Sequence, residues 1–340
     1  MKKAVIITAI VTVVSLLCVI GFGIAAVLMG LPVAADQIGR IIQGDRSIIG
    51  LNIGDFISEV FDGVDSSVSF VADDSQSKTL DLSGATRVEI RVDAARVEIT
   101  PVQGNTATIR LDTAGVVRGK RSLRTEVSGN TAVIESRLNG VSVGFTGITH
   151  TKLYISLPEK QYEEIMIKLS AGDLSVSDPN CKRLDLKLDA GNTTIKNALA
   201  DSMILSCDAG NIDVKTATVG TVDIDVDAGN VDLRDVKGKT LNISVDAGNT
   251  SLTGNSAFTD AIDAELNMGN IDLKLAEDIG FTLAFEADMG SFLNRFAGKS
   301  EMTSFGMNTE DFVSQKGSFE YLDGACAINL KINMGNITIM

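Results

Sequence analysis

Four carboxylates recur in this chain at a spacing of 19 residues: Asp189, Asp208, Asp227 and Asp246. On adjacent strands, about 4.8 Å apart, such a column brings like charges together. The repulsion is roughly 1 kcal/mol per neighbour in water and about 3.5 kcal/mol at a partly shielded surface. Something must offset it. The preferred reading is an Asx-turn, each carboxylate accepting the N–H groups of its own turn. The sharper chemical reading is a ladder of bound cations, with calcium the ion suited to carboxylate and carbonyl oxygens. The glycine-rich calcium nonapeptide of toxin-type solenoids is missing from these turns.

A second column stands three residues further on: Asn192, Asn211, Asn230, Asn249 and Asn270. Stacked amides can hydrogen-bond from rung to rung, so this column reads as structural stapling. Arg118, Lys120, Arg121 and Arg124 form the one basic cluster, read as a solvated loop rather than an anion site. His150 has no cysteine or carboxylate partner at metal-ligand spacing. Neither a phosphate-binding glycine loop nor a nucleophile elbow is present. No catalytic residue and no cofactor other than calcium is expected.

These columns are positioned by a repeat. Asp-Ala-Gly-Asn occurs four times, and variants place glycines at 172, 191, 210, 229, 248, 269, 290 and 335, spaced 19, 19, 19, 19, 21, 21 and 45 apart. A period near 20 marks a solenoid. Three, five and seven residues before Gly191 stand Leu188, Leu186 and Leu184; before Gly229 stand Val226, Ile224 and Val222. Apolar residues return two and four positions after the glycine, as in Ile212 and Val214. Alternation with period two on both sides of a corner means strand, tight turn, strand. Gly172, Gly191, Gly210, Gly229, Gly248, Gly269, Gly290 and Gly335 are therefore corner residues. The fold expected is all-β: a single-stranded parallel β-helix or solenoid, right-handed by the general crossover preference, with rungs of 19–21 residues.

An earlier copy runs from Val88 to Ile99 with Ala95 in place of the glycine. Looser strand-like runs follow at 106–111, 124–127, 131–135 and 152–157, as irregular rungs or a sandwich-like cap. Cys207 falls on an inward position and reads as a small buried hydrophobe. Residues 291–332 interrupt the beat and concentrate Phe292, Phe296, Phe305, Phe312 and Phe319, which suggests a lid or a binding loop. The chain ends at Met340 directly after a strand, with no further cap in sequence. An open edge there could pair with another copy.

Ala4 to Met29 is a 26-residue apolar run preceded by Lys2 and Lys3. It is long enough to span a bilayer as one helix, with the amino end cytoplasmic and the remainder outside. The alternative, a cleaved signal peptide, fits the length less well. The whole chain carries a net charge of −14, with 44 acidic against 30 basic residues. That balance disfavours nucleic acid and anionic lipid surfaces as partners. The organisation expected is an anchor at 1–35, a linker at 36–80 with a short amphipathic helix at 55–62, and a solenoid at 81–340. Within the solenoid, irregular rungs occupy 81–160, regular repeats 161–290, an excursion 291–332 and a final rung 333–340.

The Val88–Ile99 copy, the strand-proline step Leu153 to Pro158, the Ala-Gly-Asn turns and the closing Gly324 to Ile328 run into Met334-Gly335-Asn336 together resemble the bacterial candidate-adhesin family of β-strand-repeat proteins. The resemblance covers roughly residues 80–340. It implies a β-solenoid and an adhesin or cell-envelope role, and it supplies no catalytic residues. The function expected is an adhesin-like scaffold or interaction surface held at the cell membrane, with an envelope protein or polymer as partner. The rivals are a self-assembling envelope protein and a carbohydrate-cleaving β-helix enzyme. The enzyme is disfavoured by outward columns of short polar residues and by the absence of Trp.

Overall fold

The computed structural model describes residues 68–118, 120–139, 150–275, 280–295, 301–308 and 314–340. The expected membrane run at 4–29 and the helix at 55–62 lie outside the described residues. Among the described residues no helix is long and apolar enough to cross a membrane.

The described chain is all-β and forms one sheet of sixteen strands. In order these are β1 (Val68–Asp81), β2 (Arg87–Ala94), β3 (Arg96–Val102), β4 (Thr106–Arg118), β5 (Lys120–Ser128), β6 (Thr131–Asn139), β7 (His150–Pro158) and β8 (Tyr162–Ala171). They continue as β9 (Leu174–Ser177), β10 (Asn180–Ala228), β11 (Val231–Thr253), β12 (Ala257–Leu273), β13 (Phe281–Asn294), β14 (Glu301–Asn308), β15 (Ser314–Tyr321) and β16 (Cys326–Ile339). Residues 68–80, placed in the linker by composition, belong to β1, which pairs antiparallel with β4.

The middle of the molecule is a parallel stack with the register that the repeat implies. Ile212 pairs with Val231 and Ile224 with Ile243, 19 residues on. Leu241 pairs with Ile262 at a step of 21. Alternate residues of each rung point inward, so like positions stack into columns: Leu184, Met203, Val222, Leu241 and Ile262 are all buried at 1% exposure or less. Side-chain volumes compensate along a column. Gly238 is in register with Phe258, and a Cβ on Gly238 would lie 2.9 Å from the Phe258 ring.

Each regular rung turns two corners. The first is the glycine corner, where Gly210 has φ of +146° and an added Cβ would stand 1.5 Å from the carbonyl oxygen of Gly191. Glycine is thus demanded both by conformation and by the rung beneath. Gly290 meets the second demand, its Cβ position lying 1.5 Å from the Gly335 carbonyl. Six residues after the glycine, a corner absent from the sequence-based expectation occurs at Asp178, Asn197, Thr216 and Asp235, with φ between 53° and 59°, and at Gly254 with φ of 73°. Short polar residues tolerate this left-handed region.

The two ends depart from the sequence order. The last strand, β16, is not the last rung: it lies between β12 and β13, parallel to both. The outermost rung is β13, covered by antiparallel β15 and then β14. The excursion at 291–332 therefore contributes the end of β13, both covering strands and the start of β16. At the other end, β2 lies between β8 and β6, and β3 between β9 and β7. Antiparallel β4 and β5 then flank β7 and β6. Insertion gives each out-of-order strand two parallel neighbours and leaves antiparallel strands at the edges, where parallel stacking has to stop.

Candidate functional site: an acidic groove on the stack

The outward face of the arm before the glycine corner carries residues two apart on successive rungs, because inward and outward positions alternate. Between Ile204 and Lys331 these outward positions line a groove of about 720 Å³, bounded at one end by Lys316 and Ser318 of β15. Five carboxylates line it, Asp223, Asp225, Asp263, Glu265 and Glu286, against two lysines, Lys316 and Lys331. Much of the charge is paired. The Asn242 amide donates to Asp223 at 2.6 Å, and the Asn329 amide to Asp263 at 2.6 Å. Lys331 bridges to Glu265 at 3.1 Å and Lys316 to Glu286 at 3.4 Å. The hydrogen bond from Lys331 to Glu265, with the charge of that carboxylate, raises the lysine above its ordinary pKa. These pairs are solvent-facing, so each contributes little and can exchange for an incoming cation.

The expected Asp column lies elsewhere. Asp189, Asp208, Asp227 and Asp246 are exposed, two residues before the corner. Partial burial raises the pKa of Asp208; Lys187 opposes, and neighbouring Asp189, Asp227 and Asp225 add to the rise. Asp246 accepts the Asn267 amide at 2.7 Å. Among the described residues no group of three or more His, Cys, Asp or Glu side chains could hold a metal ion.

The Asn column is a continuous hydrogen-bonded ladder. Asn211 donates to Asn192 at 2.8 Å, Asn230 to Asn211 at 3.0 Å, Asn249 to Asn230 at 3.0 Å and Asn270 to Asn249 at 2.8 Å. Asn336 then donates to Asn270 at 3.1 Å, and the Ser291 hydroxyl to Asn336 at 2.7 Å. At the opposite end Asn192 donates to Asp173, which also takes Arg96 at 3.1 Å. The hydrogen bond from Asn192, and then the Arg96 contacts, hold Asp173 below its ordinary pKa. Every amide points the same way, and only an acceptor can close the Asp173 end.

The basic cluster is not a loop. Arg118 and Lys120 lie on β4 and β5, and Arg124 pairs with Glu126 at 2.6 Å. Arg121 is buried, its guanidinium donating to the Ala94 carbonyl at 2.6 Å. In regular rungs that carbonyl position takes a backbone N–H, as when Gly172 donates to Ala190 and Ala95 to Ala171. Arg121 thus substitutes a side chain for the next rung's corner amide. His150 begins β7, opposite Ala114. Cys181, Cys207 and Cys326 are free and buried, and burial pushes their thiols up to about 12, 11 and 11.

Sequence reasoning did not find the groove. Its polar residues are the outward neighbours of core positions, and a mixture of Asp, Asn, Ser and Glu gives no spacing signal until the rungs stack.

Several solved structures are similar to this chain. A candidate adhesin from Bacteroides fragilis NCTC 9343 is 12% identical over 78% of this chain and 97% of its own, with a TM-score of 0.44. A candidate adhesin from Parabacteroides distasonis ATCC 8503 is 15% identical over 78% of this chain and 97% of its own, with a TM-score of 0.43. No curated protein matches in sequence. Residues 85–339 match the Toastrack DUF4097 family model, from just before β2 to the end of β16. With well over half its length inside that match, the chain belongs to the Toastrack DUF4097 family.

Proposed function

We propose that this chain is a membrane-anchored, extracytoplasmic β-scaffold that binds partners at the bacterial cell envelope and catalyses no reaction. The observation that carries the reading is the groove itself. Stacked rungs hold its carboxylates in fixed register, and its charge of five against two favours a cationic partner segment. The apolar run at 4–29 supports the anchor. An adhesin-like role agrees with the names of the similar solved structures.

Titration of the full-length protein, held in neutral vesicles, with an oligolysine peptide tests the groove. Saturable binding is expected, weakening as salt rises. The triple change Asp223→Ser, Asp263→Ser, Glu265→Ser is expected to abolish it. Equal binding by that variant would remove the groove from the proposal. Alkaline extraction and external proteolysis of membranes from producing cells test the anchor. Release of the intact chain by alkali, or its protection from external protease in intact cells, would overturn the placement. Self-assembly through the ends of the stack, the alternative, would use the outer edges of β1, β5 or β14 rather than β16.

A further inference from the structure

Three methionines stand side by side where earlier rungs carry alanine. The residue before the corner glycine is Ala171, Ala190, Ala209, Ala228 and Ala247 in five successive rungs. In the next three it is Met268, Met334 and Met289, with Met268 in register with Met334 and Met334 with Met289. In sequence these residues are far apart. Only the insertion of β16 between β12 and β13 makes them one row, about 4.8 Å from rung to rung.

The row is outside the core. Met268, Met334 and Met289 are 53%, 43% and 52% exposed. A methionine side chain is long, unbranched and free about three bonds, so sulphurs from three adjacent rungs can converge above the middle one. Thioethers are soft donors, and soft donors select Cu(I) over hard divalent ions. Two neighbouring side-chain oxygens are already engaged: Asp246 accepts the Asn267 amide and Asn267 accepts the Asn333 amide, each at 2.7 Å. The described cysteines do not compete from the surface, since Cys181, Cys207 and Cys326 are all buried. The acidic surface, at a net charge of −14, draws cations toward it.

We propose that Met268, Met334 and Met289 form a trigonal thioether site for a soft monovalent cation, Cu(I) being the ion its chemistry selects. Ag(I) is the redox-inert probe for the same donors.

The test uses full-length protein with methyl-labelled methionine. Ag(I) is titrated and followed by NMR, and Cu(I) is titrated anaerobically against a chromophoric Cu(I) chelator. Three of the ten methionine methyl resonances are expected to move together and saturate at one equivalent. Each is assigned by its Met→Leu variant, which keeps the apolar surface and removes the sulphur. Met334→Leu, in the middle of the row, is expected to weaken Cu(I) binding by at least about tenfold. Unmoved methyl resonances at these three positions would overturn the site. So would undiminished affinity in the triple Leu variant, which would leave the row as an apolar contact surface.

Discussion

The two ends of the stack solve one problem with different chemistry. At each end a parallel β-stack presents an open backbone edge and the exposed end of its core. The amino-terminal end closes with charge. Arg121 supplies the Ala94 carbonyl with a donor, and Glu135, 5% exposed, is held by Arg137 at 2.6 Å and Arg91 at 3.7 Å. The carboxy-terminal end closes with rings. Phe281 packs edge-on to Phe319 at 5.6 Å and stacks on Tyr321 at 5.3 Å, while Phe285 stacks on Phe292 at 3.7 Å. The Asn ladder follows the same division, ending on the Asp173–Arg96 pair at one end and on the Ser291 hydroxyl at the other. Backbone polarity is the dominant need at the first end and apolar area at the second.

The sharpest contrast lies between either end and the interior. Gly210→Ala would put a Cβ into the Gly191 carbonyl from a positive-φ residue. It should destabilise by more than about 4 kcal/mol in urea unfolding. Ala95→Gly, at the corner that Arg121 completes, should change stability by no more than about 1 kcal/mol. Equal effects at the two positions would end the distinction between interior and end corners.

Phe281→Ala should cost about 3–5 kcal/mol, because a fully buried ring leaves a cavity. Hydrogen exchange should rise first in β13 and β15, while β2 to β7 keep their protection. Arg121→Met should cost less, about 1–3 kcal/mol, by leaving the Ala94 carbonyl without its donor. If loosening followed at the carboxy-terminal end instead, the two closures would not be independent.

The smallest effects are electrostatic and opposite in sign. Asp173 has a lowered folded pKa, so its contribution is complete above the unfolded value and is lost as pH falls through the folded one. Asp173→Asn should therefore destabilise at neutral pH and converge with the parent in acid. Asp208 has a raised pKa, so its ionised form carries a penalty above the folded value that vanishes below the unfolded one. Asp208→Asn should stabilise at neutral pH by no more than about 0.5 kcal/mol, solvent screening keeping the effect small. Melting curves across the carboxylate range check both signs. Ser291→Ala, at the uncharged end of the ladder, should show no such pH dependence.

Several parts of this architecture are legible in the residues. Leu184, Leu186 and Leu188 before Gly191, and Ile212 and Val214 after Gly210, announce strand, corner and inward face together. The second corner is legible only in retrospect. Its signal is spread over Asp178, Asn197, Thr216, Asp235 and Gly254, five residues of four types at a constant offset of six from the glycine. Arg121 reads as a solvated charge in a basic run, and nothing nearby in sequence indicates that its partner is the Ala94 carbonyl.

Period-two alternation and the glycine beat determine, from the sequence by itself, that this protein is a stacked β-repeat with Gly and Asn at its corners. Those are local demands: positive φ, close backbone approach and side-chain alternation act within one rung and its neighbour. The order of the outer rungs is different. β13 and β16 carry nearly the same corner, Met289-Gly290-Ser291 and Met334-Gly335-Asn336, and either fits beside β12 by local rules. Tertiary structure alone places β16 inside and β13 outside, where the β14–β15 pair covers the first arm of β13. That choice also assembles the acidic groove and the methionine row, neither of which exists in any single repeat.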